Sequence, residues 1–277
     1  MSARIPTLTM ADGRPIPQIG FGLFKVDPAE AQRITEDALE VGYRHLDTAT
    51  AYGNEAAVGA AIAASGIARD ELFVTTKVWN DAHGRTATRA AFERSCERLG
   101  IETIDLYLIH WPVPTRDLYR ETWQELLAIA ADGGARSVGV SNFLVEHLDA
   151  IARDGGARPA VNQIEVHPTN QDRSLVEACA DRDILVEAYS PLARGAALDH
   201  PGLGRIAAAH ERTISQVILR WHLQHDRVVL PKTTRRERMR ENLDVLDFAL
   251  DAQQVAAIDD LDEGARIGAD PRTFTGD

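Results

Sequence analysis

The feature that most constrains the fold is an alternation of short β-rich runs with segments of helical periodicity. Strands that alternate with helices favour a parallel sheet, and eight such units in 277 residues favour a closed (β/α)8 barrel. We therefore predict an α/β fold, a TIM barrel, in which residues 1–277 form a single domain. The eight predicted strands are Ile19–Gly22, His45–Asp47, Leu72–Lys77, Asp105–His110, Ser137–Val140, Val161–Gln163, Ile184–Ala188 and Val228–Leu230.

An open, doubly wound parallel sheet is the competing architecture. Such a sheet usually carries a nucleotide-binding Gly-x-Gly-x-x-Gly motif directly after its first strand. The corresponding segment here is Gly20-Phe21-Gly22-Leu23-Phe24-Lys25, which lacks the third glycine at the required spacing. The closed barrel is therefore the favoured prediction.

Helix boundaries can be predicted at several points between the strands. Asp27 and Pro28 are a typical N-cap and first helical residue, and Gly42 ends the same helix. Gly100 and Gly133 end two further segments whose apolar residues recur at helical spacing. Two capping boxes, each of which begins a helix, are Thr213-Ile214-Ser215-Gln216 and Asp251-Ala252-Gln253-Gln254.

Ahead of the first predicted strand, a turn sequence indicates a β-hairpin. Ala11-Asp12-Gly13 separates the extended runs Pro6–Met10 and Arg14–Gln18. Asp-Gly between extended segments is a frequent hairpin turn. We expect this N-terminal hairpin to cover the floor of the barrel.

Charge and hydropathy exclude several classes of function. The net charge of −12 argues against a general nucleic-acid-binding surface. No apolar run reaches the roughly 18–20 residues of a membrane span, and the first residues have no apolar core of signal-peptide length. Cys96 and Cys179 are too few for a disulfide framework, and we expect them to be small buried side chains. These observations predict a cytoplasmic protein with no membrane partner.

One basic cluster is conspicuous in this acidic chain. The segment from Lys232 to Arg240 carries five cations and one acid in nine residues. A solvated helix start and an anion-binding site both explain such a cluster, and charge alone does not separate the two.

Polar side chains follow nearly every predicted strand. In a barrel of this kind, chemistry collects just past the carboxyl ends of the strands. Core packing does not favour these residue types, because a buried Lys or Asp is costly unless it is paired. The residues at these ends are Asp47, Lys77, His110, Ser141, Asn142, Gln163, Tyr189, Ser190, Lys232, Thr233 and Thr234.

Four residues at neighbouring strand ends form a candidate acid–base site. Tyr52 follows Asp47 by one short loop, and a phenol with its ordinary pKa around 10 is a poor acid near neutral pH. Lys77 lies past the next strand, where its ammonium can pair with Asp47, and we expect it to lower the pKa of Tyr52. His110 is placed to orient a carbonyl oxygen beside the phenol. A structural role explains each of these four residues when it is taken singly. Their occurrence together at neighbouring strand ends is much harder to explain by structural roles alone.

Two other kinds of chemistry are disfavoured. No His-x-His or His-Glu-x-x-His motif is present, and His110 has no His or Cys at ligand spacing, so no metal site is predicted. The Gly-x-Ser-x-Gly motif of serine hydrolases is absent. A barrel hydrolase of another kind would need a second suitably placed carboxylate.

Three ordered motifs give the chain a resemblance to the aldo-keto reductase superfamily, and this resemblance covers nearly the whole chain. The motifs are Gly42–Ala49 with Glu55, Val58 and Gly59; Gly139-Val140-Ser141-Asn142-Phe143; and Leu230-Pro231-Lys232-Thr233 with Arg238, Glu241 and Asn242. Within the superfamily, four segments resemble the bacterial 2,5-diketo-D-gluconate reductases: Tyr52-Gly53-Asn54-Glu55, Ala63–Asp70, Leu219–Gln224 and Arg235–Arg238.

The resemblance implies a carbonyl reductase that uses NADPH. Tyr52 is then the general acid, Asp47 and Lys77 are its tuning pair, and His110 orients the substrate. Ser141, Asn142 and Gln163 hold the nicotinamide carboxamide, and Tyr189 stacks on the ring. Lys232, Thr233 and Arg238 suit a 2′-phosphate, and Glu241 and Asn242 contact adenine. Further implied cofactor contacts are Gly22, Asp47, Ser190, Leu192 and Thr234.

The implied substrates are small aldehydes, α-dicarbonyls and keto sugars such as 2,5-diketo-D-gluconate. Phe24, Trp79 and Trp111, with His110, form the expected substrate wall, and the short tail after Arg266 folds over the barrel mouth. Some 2,5-diketo-D-gluconate reductases carry Trp where this chain has Tyr189, which weakens the transfer of that substrate. The resemblance also implies a monomer. The alternative function is an NADPH-binding redox sensor or regulatory subunit with little turnover.

Overall fold

The computed structural model describes residues 5–276, and its main sheet is an eight-stranded parallel barrel. Strands β3 to β10 pair in chain order, and a parallel bridge between Ile19 and Val229 joins the two edges of this sheet. The N–H of Gly20 donates to the carbonyl oxygen of Val229 at 2.9 Å, and that of Val229 donates to Gln18 at 2.9 Å. The prediction of a TIM barrel is confirmed.

The strands are β1 Thr7–Thr9, β2 Pro15–Pro17, β3 Phe21–Gly22, β4 His45–Asp47, β5 Phe73–Val78, β6 Ile104–Ile109, β7 Ala135–Ser141, β8 Val161–Glu165, β9 Leu185–Tyr189 and β10 Val228–Leu230. The α-helices are α1 Pro28–Val41, α2 Glu55–Ala64, α3 Arg85–Leu99, α4 Tyr119–Ala131, α5 Val145–Arg153, α6 Arg173–Ala180, α7 Pro201–Ala209, α8 Ile214–Gln224, α9 Arg236–Leu243 and α10 Ala252–Asp259. Predicted and observed strand ends differ by at most two residues.

The N-terminal hairpin is present and lies under the barrel. β1 and β2 pair antiparallel, with Leu8 opposite Ile16. Ile16 packs in one apolar cluster with Leu106, Val161 and Val228, which stand in the amino-terminal halves of their strands. The hairpin therefore closes the floor, and solvent reaches the barrel interior from the opposite end.

The predicted helix caps are formed. The Asp27 carboxylate accepts a hydrogen bond from the N–H of Ala29 at 2.9 Å, and Gly42 ends α1 with a φ of 121°. Both capping boxes are present, at the starts of α8 and α10. These caps fix where each helix begins, and so fix the lengths of the loops at the barrel mouth.

The structure also bears on the expectations about membrane spans and about the two cysteines. Among residues 5–276, no helix is long and apolar enough to cross a membrane. Cys179 is buried and Cys96 is partly buried, and burial raises the pKa of both thiols to about 11. The interpretation of Cys179 as a small buried side chain is confirmed.

Candidate functional site

A large cavity lies at the carboxyl ends of the barrel strands. It has a volume of about 690 Å³, and its lining includes most of the residues singled out from the sequence. Two of them lie elsewhere: Lys77 is buried beneath the floor of the cavity, and Thr234 is exposed outside it. The predicted residues that line the cavity are Gly22, Phe24, Asp47, Tyr52, Trp79, His110, Trp111, Ser141, Asn142, Gln163, Tyr189, Ser190, Leu192, Lys232, Thr233, Arg238, Glu241 and Asn242.

Lys77 and Asp47 form a buried ion pair under the cavity. The ammonium nitrogen lies 2.8 Å from both carboxylate oxygens of Asp47 and 2.9 Å from the carbonyl oxygen of Thr48. An ammonium has three N–H donors, so these contacts account for all of them. Both side chains are almost fully buried, and the pair is held in one geometry.

Tyr52 stands over this pair, at the end of a 3₁₀ turn, Thr50–Tyr52. Its ring centroid is 5.2 Å from the Lys77 nitrogen. The prediction that the pKa of Tyr52 lies below its ordinary value is wrong, because the net shift has the opposite direction. Burial raises the pKa of Tyr52 well above its ordinary value, and the carboxylates of Asp47 and Glu187 raise it further. The phenol is therefore fully protonated at neutral pH.

His110 faces the same part of the cavity as Tyr52. Its ring packs edge-on against Tyr52 and Trp79, with centroids 5.6 and 5.0 Å apart. Burial lowers the pKa of His110 well below its ordinary value, and the charge of Lys77 adds to this effect. His110 is therefore a neutral imidazole, with one donor and one acceptor nitrogen.

An amide-rich network connects β7, β8 and β9. Asn142 has a φ of 61° and donates through its side-chain nitrogen to the carbonyl oxygen of His110 at 3.0 Å and to Ser141 Oγ at 3.1 Å. The Tyr189 hydroxyl donates to Asn142 Oδ1 at 2.8 Å, and Ser141 Oγ donates to the Gln163 carbonyl oxygen at 2.8 Å. These side chains are thus fixed before any ligand arrives.

The cations of the basic cluster differ in their surroundings. Arg236 pairs with Asp37 and Glu40 at 2.7 and 2.6 Å, away from the cavity. Lys232 and Arg238 line the cavity and form no ion pair among residues 5–276. Since unpaired cations that face a cavity favour an anion, this end of the cavity suits a charged group.

The opposite end of the cavity is aromatic. The Trp111 ring lies 4.3 Å from that of Phe274, which also approaches Trp79 at 6.4 Å. Phe24 packs against Tyr52 at 5.2 Å. Phe274 belongs to the tail after Arg266, so this segment does lie over the barrel mouth.

The tail is attached to the end of β8 through one carboxylate. Glu165 accepts hydrogen bonds from the N–H groups of Ile267 at 2.6 Å and Gly268 at 2.7 Å. Burial alone would raise the pKa of Glu165, but His167, these N–H groups and Arg266 together hold the pKa below its ordinary value. Glu165 is therefore ionised and holds the tail in place.

Several residues that shape the site were missed in the sequence. Gly268, Ala269 and Phe274 line the cavity, and Glu187 and His45 lie beneath it. The sequence did carry a signal for Glu187. Residues two apart in a strand share a face, so Glu187 is a carboxylate on the same face as Tyr189 in an otherwise apolar strand. No local pattern indicates the tail contacts, since they depend on the path of an irregular segment.

Comparison with known proteins identifies the family to which this chain is similar. The model of the Aldo/keto reductase family matches residues 18–263. An aldo-keto reductase of Mycobacterium sp. (strain KMS) is 46% identical over 269 residues, 97% of this chain and 98% of the relative. The glyoxal reductase of Bacillus subtilis is 44% identical over 266 residues, 96% of each chain.

Solved structures agree with this likeness. A mutant of Gox0644 in complex with NADPH has a TM-score of 0.94 at 42% identity, over 97% of this chain and 98% of that one. The Bombyx mori aldo-keto reductase in complex with NADP has a TM-score of 0.91 at 35% identity, over 99% of both chains.

Proposed function

The chain belongs to the aldo/keto reductase family, a family of oxidoreductases, and on that basis we propose that it reduces small aldehydes and α-dicarbonyls with NADPH. The observation that carries this proposal is the convergence of Tyr52 and His110 at one point of the cavity, above the buried Lys77–Asp47 pair. The glyoxal reductase relative supports an α-dicarbonyl substrate. Keto sugars such as 2,5-diketo-D-gluconate remain candidates on the sequence resemblance alone.

The residues present fit a nicotinamide cofactor. In the amide network, every side-chain N–H of Asn142 and Gln163 already has a partner. The carbonyl oxygens of these two side chains remain as acceptors, which suits the N–H₂ of a carboxamide. At the other end of the cavity, Lys232 and Arg238 with the hydroxyl of Thr233 suit a 2′-phosphate.

In the proposed reaction Tyr52 donates a proton to the carbonyl oxygen of the substrate. The reduced nicotinamide supplies the hydride when it is bound. His110 donates a hydrogen bond to the same oxygen from its neutral ring and fixes the carbonyl beside the phenol. The Lys77 ammonium lies under the Tyr52 ring and stabilises the phenolate that remains after proton transfer. Asp47 keeps Lys77 in that position.

The aromatic end of the cavity favours small substrates. Trp79, Trp111 and Phe274 narrow the space beside His110. These rings are apolar, so a short dicarbonyl fits this part of the cavity well.

We also propose that the enzyme is monomeric and cytoplasmic. Its two free cysteines are consistent with a reducing compartment such as the cytoplasm. The main test of the proposed function is NADPH oxidation measured with glyoxal, methylglyoxal, an aromatic aldehyde and 2,5-diketo-D-gluconate, each repeated with NADH. We expect the highest kcat/KM for the α-dicarbonyls with NADPH. Tight NADPH binding with negligible turnover of every substrate would favour the redox-sensor alternative instead.

A further inference from the structure

One buried carboxyl group beneath the cavity has no part in the proposed chemistry. Glu187 on β9 is fully buried and shares the inward face of its strand with Tyr189. Burial and the nearby charge of Asp47 raise the pKa of Glu187 to about 8, against the opposing effects of Gln163 and Lys77. A group of this kind costs stability, and its presence in an otherwise well-packed barrel indicates a role in the site.

The contacts of Glu187 converge on Gln163. Gln163 Nε2 donates to Glu187 Oε2 at 2.6 Å and to Asp47 Oδ2 at 2.9 Å. A primary amide nitrogen has two hydrogens, so both are committed to carboxyl groups. The remaining polar atom of the amide is its carbonyl oxygen, and Gln163 lines the cavity.

His45 is a further neighbour of Glu187, at more than hydrogen-bond distance. His45 Nε2 lies 3.6 Å from Glu187 Oε1 and 3.1 Å from Thr75 Oγ1, and Nδ1 lies 3.3 Å from the carbonyl oxygen of Pro17. Burial lowers the pKa of His45 to about 4, so the ring is neutral. With Nδ1 donating to a carbonyl, Nε2 is the acceptor for the Thr75 hydroxyl, and Glu187 Oε1 has no hydrogen-bond partner among residues 5–276. The titratable groups around Glu187 are thus His45 and Asp47 from β4, Lys77 from β5, and Tyr52 above them.

We propose that Glu187 is a positioning residue, which together with Asp47 holds the Gln163 amide so that its carbonyl oxygen is presented to the nicotinamide carboxamide. This inference rests on the proposed function. Without Glu187, one amide hydrogen loses its partner, and the amide can rotate to present nitrogen instead. A carboxamide N–H₂ would then meet a donor in place of an acceptor.

The test compares two oxidised cofactors that differ only in the substituent at position 3 of the pyridine ring. NADP⁺ carries a carboxamide, whereas its 3-acetylpyridine analogue carries a methyl ketone with no N–H. Dissociation constants of both are measured by quenching of tryptophan fluorescence, with no turnover involved. We expect the wild-type protein to bind NADP⁺ about tenfold more tightly than the analogue, because the analogue leaves an acceptor unpaired.

Variants separate positioning from general damage to the fold. Glu187→Met removes the hydrogen bond at similar volume, and we expect the tenfold ratio to fall towards one. Glu187→Gln keeps an acceptor for Gln163 at the same volume, so it retains the ratio. Glu125→Met is the matched control, since Glu125 is a buried carboxylate of α4 paired with Arg89 and does not line the cavity. If Glu187→Met does not fold, as judged by circular dichroism, Glu187→Thr takes its place with the same expectation.

Two results would overturn the inference while leaving the proposed function intact. One is a tenfold ratio retained in Glu187→Met or Glu187→Thr. The other is equal affinity of the wild-type protein for both cofactors. Failure of the wild-type protein to bind either cofactor would instead overturn the proposed function, and this inference with it.

Discussion

At the scale of single residues, burial dominates the chemistry of the site. The Tyr52 phenol has its pKa raised by burial and by Asp47 and Glu187. Lys77 directs all its N–H groups to Asp47 and Thr48, so it acts on Tyr52 through its charge below the ring and not through a hydrogen bond. A phenol held in its protonated form is suited to give up its proton only when a substrate oxygen gains charge.

Arg238 provides a prediction at this scale. Because it lines the cavity without an acidic partner, Arg238→Leu should weaken NADPH binding by about tenfold to a hundredfold and leave NADH binding unchanged. Arg240→Leu is the matched control, since this exposed cation of the same helix does not line the cavity. Titration of protein fluorescence with each cofactor measures the effect. Equal losses for NADPH and NADH would contradict a role for Arg238 at the 2′-phosphate.

At the scale of elements, the sequence predicts what depends on local pattern. The strands β4 and β10 have the predicted bounds, and the capping boxes of α8 and α10 begin their helices as expected. The polar residues at the strand ends were found because parallel strands in a barrel bring their carboxyl ends together. The part of the site that lies at the strand ends could therefore be assembled from strand order, without knowledge of any side-chain contact.

Long-range contacts account for what the sequence did not reveal. The tail reaches the cavity through the bonds of Glu165 to Ile267 and Gly268, which join residues about a hundred positions apart. Glu187 acts through Gln163, its neighbour on the adjacent strand. Periodicity and turn signals report on neighbours in sequence: they can place Glu187 on the inward face of β9, but they do not reveal its contact with Gln163 or the path of the tail.

The tail yields a prediction of its own. A Cβ at residue 268 would lie 2.6 Å from Glu165 Oε2, so in Gly268→Ala the tail or the carboxylate has to shift. We expect kcat/KM for methylglyoxal to fall by about tenfold or more, since small displacements of a binding wall can cost up to about a hundredfold. Gly204→Ala is the control, because a Cβ there meets nothing within 4 Å. Unchanged kinetics in Gly268→Ala would show that the tail does not form the substrate wall.

At the scale of the whole molecule, buried titratable groups set the pH dependence of stability. His45 and His83 have pKa values lowered by burial from 6.5 to about 4. The unfolded chain binds protons at these residues below about 6.5, so the free energy of unfolding falls as the pH drops from 6.5 towards 4. For His45 the effect is about 3 kcal/mol at most.

The contribution of Glu187 to the pH dependence of stability has the opposite sign. Its pKa is raised from 4.5 to about 8, so the folded state loses stability as the pH rises between these values. Glu187→Gln should therefore melt at a higher temperature than the wild-type protein at about pH 9, and at a similar temperature at about pH 5. Thermal denaturation followed by circular dichroism gives both values. A difference in Tm that does not change with pH would show that Glu187 is not protonated in the folded protein.

The central claim, carbonyl reduction with Tyr52 as the proton donor, is tested most directly by Tyr52→Phe. The measurement pairs the rate of NADPH oxidation with methylglyoxal and the dissociation constant of NADPH from fluorescence quenching. Loss of a positioned general acid should lower kcat by about a hundredfold to ten-thousandfold. The NADPH dissociation constant should stay within about twofold of the wild-type value, since the ring and its packing remain. Turnover by Tyr52→Phe at the wild-type rate would contradict the account.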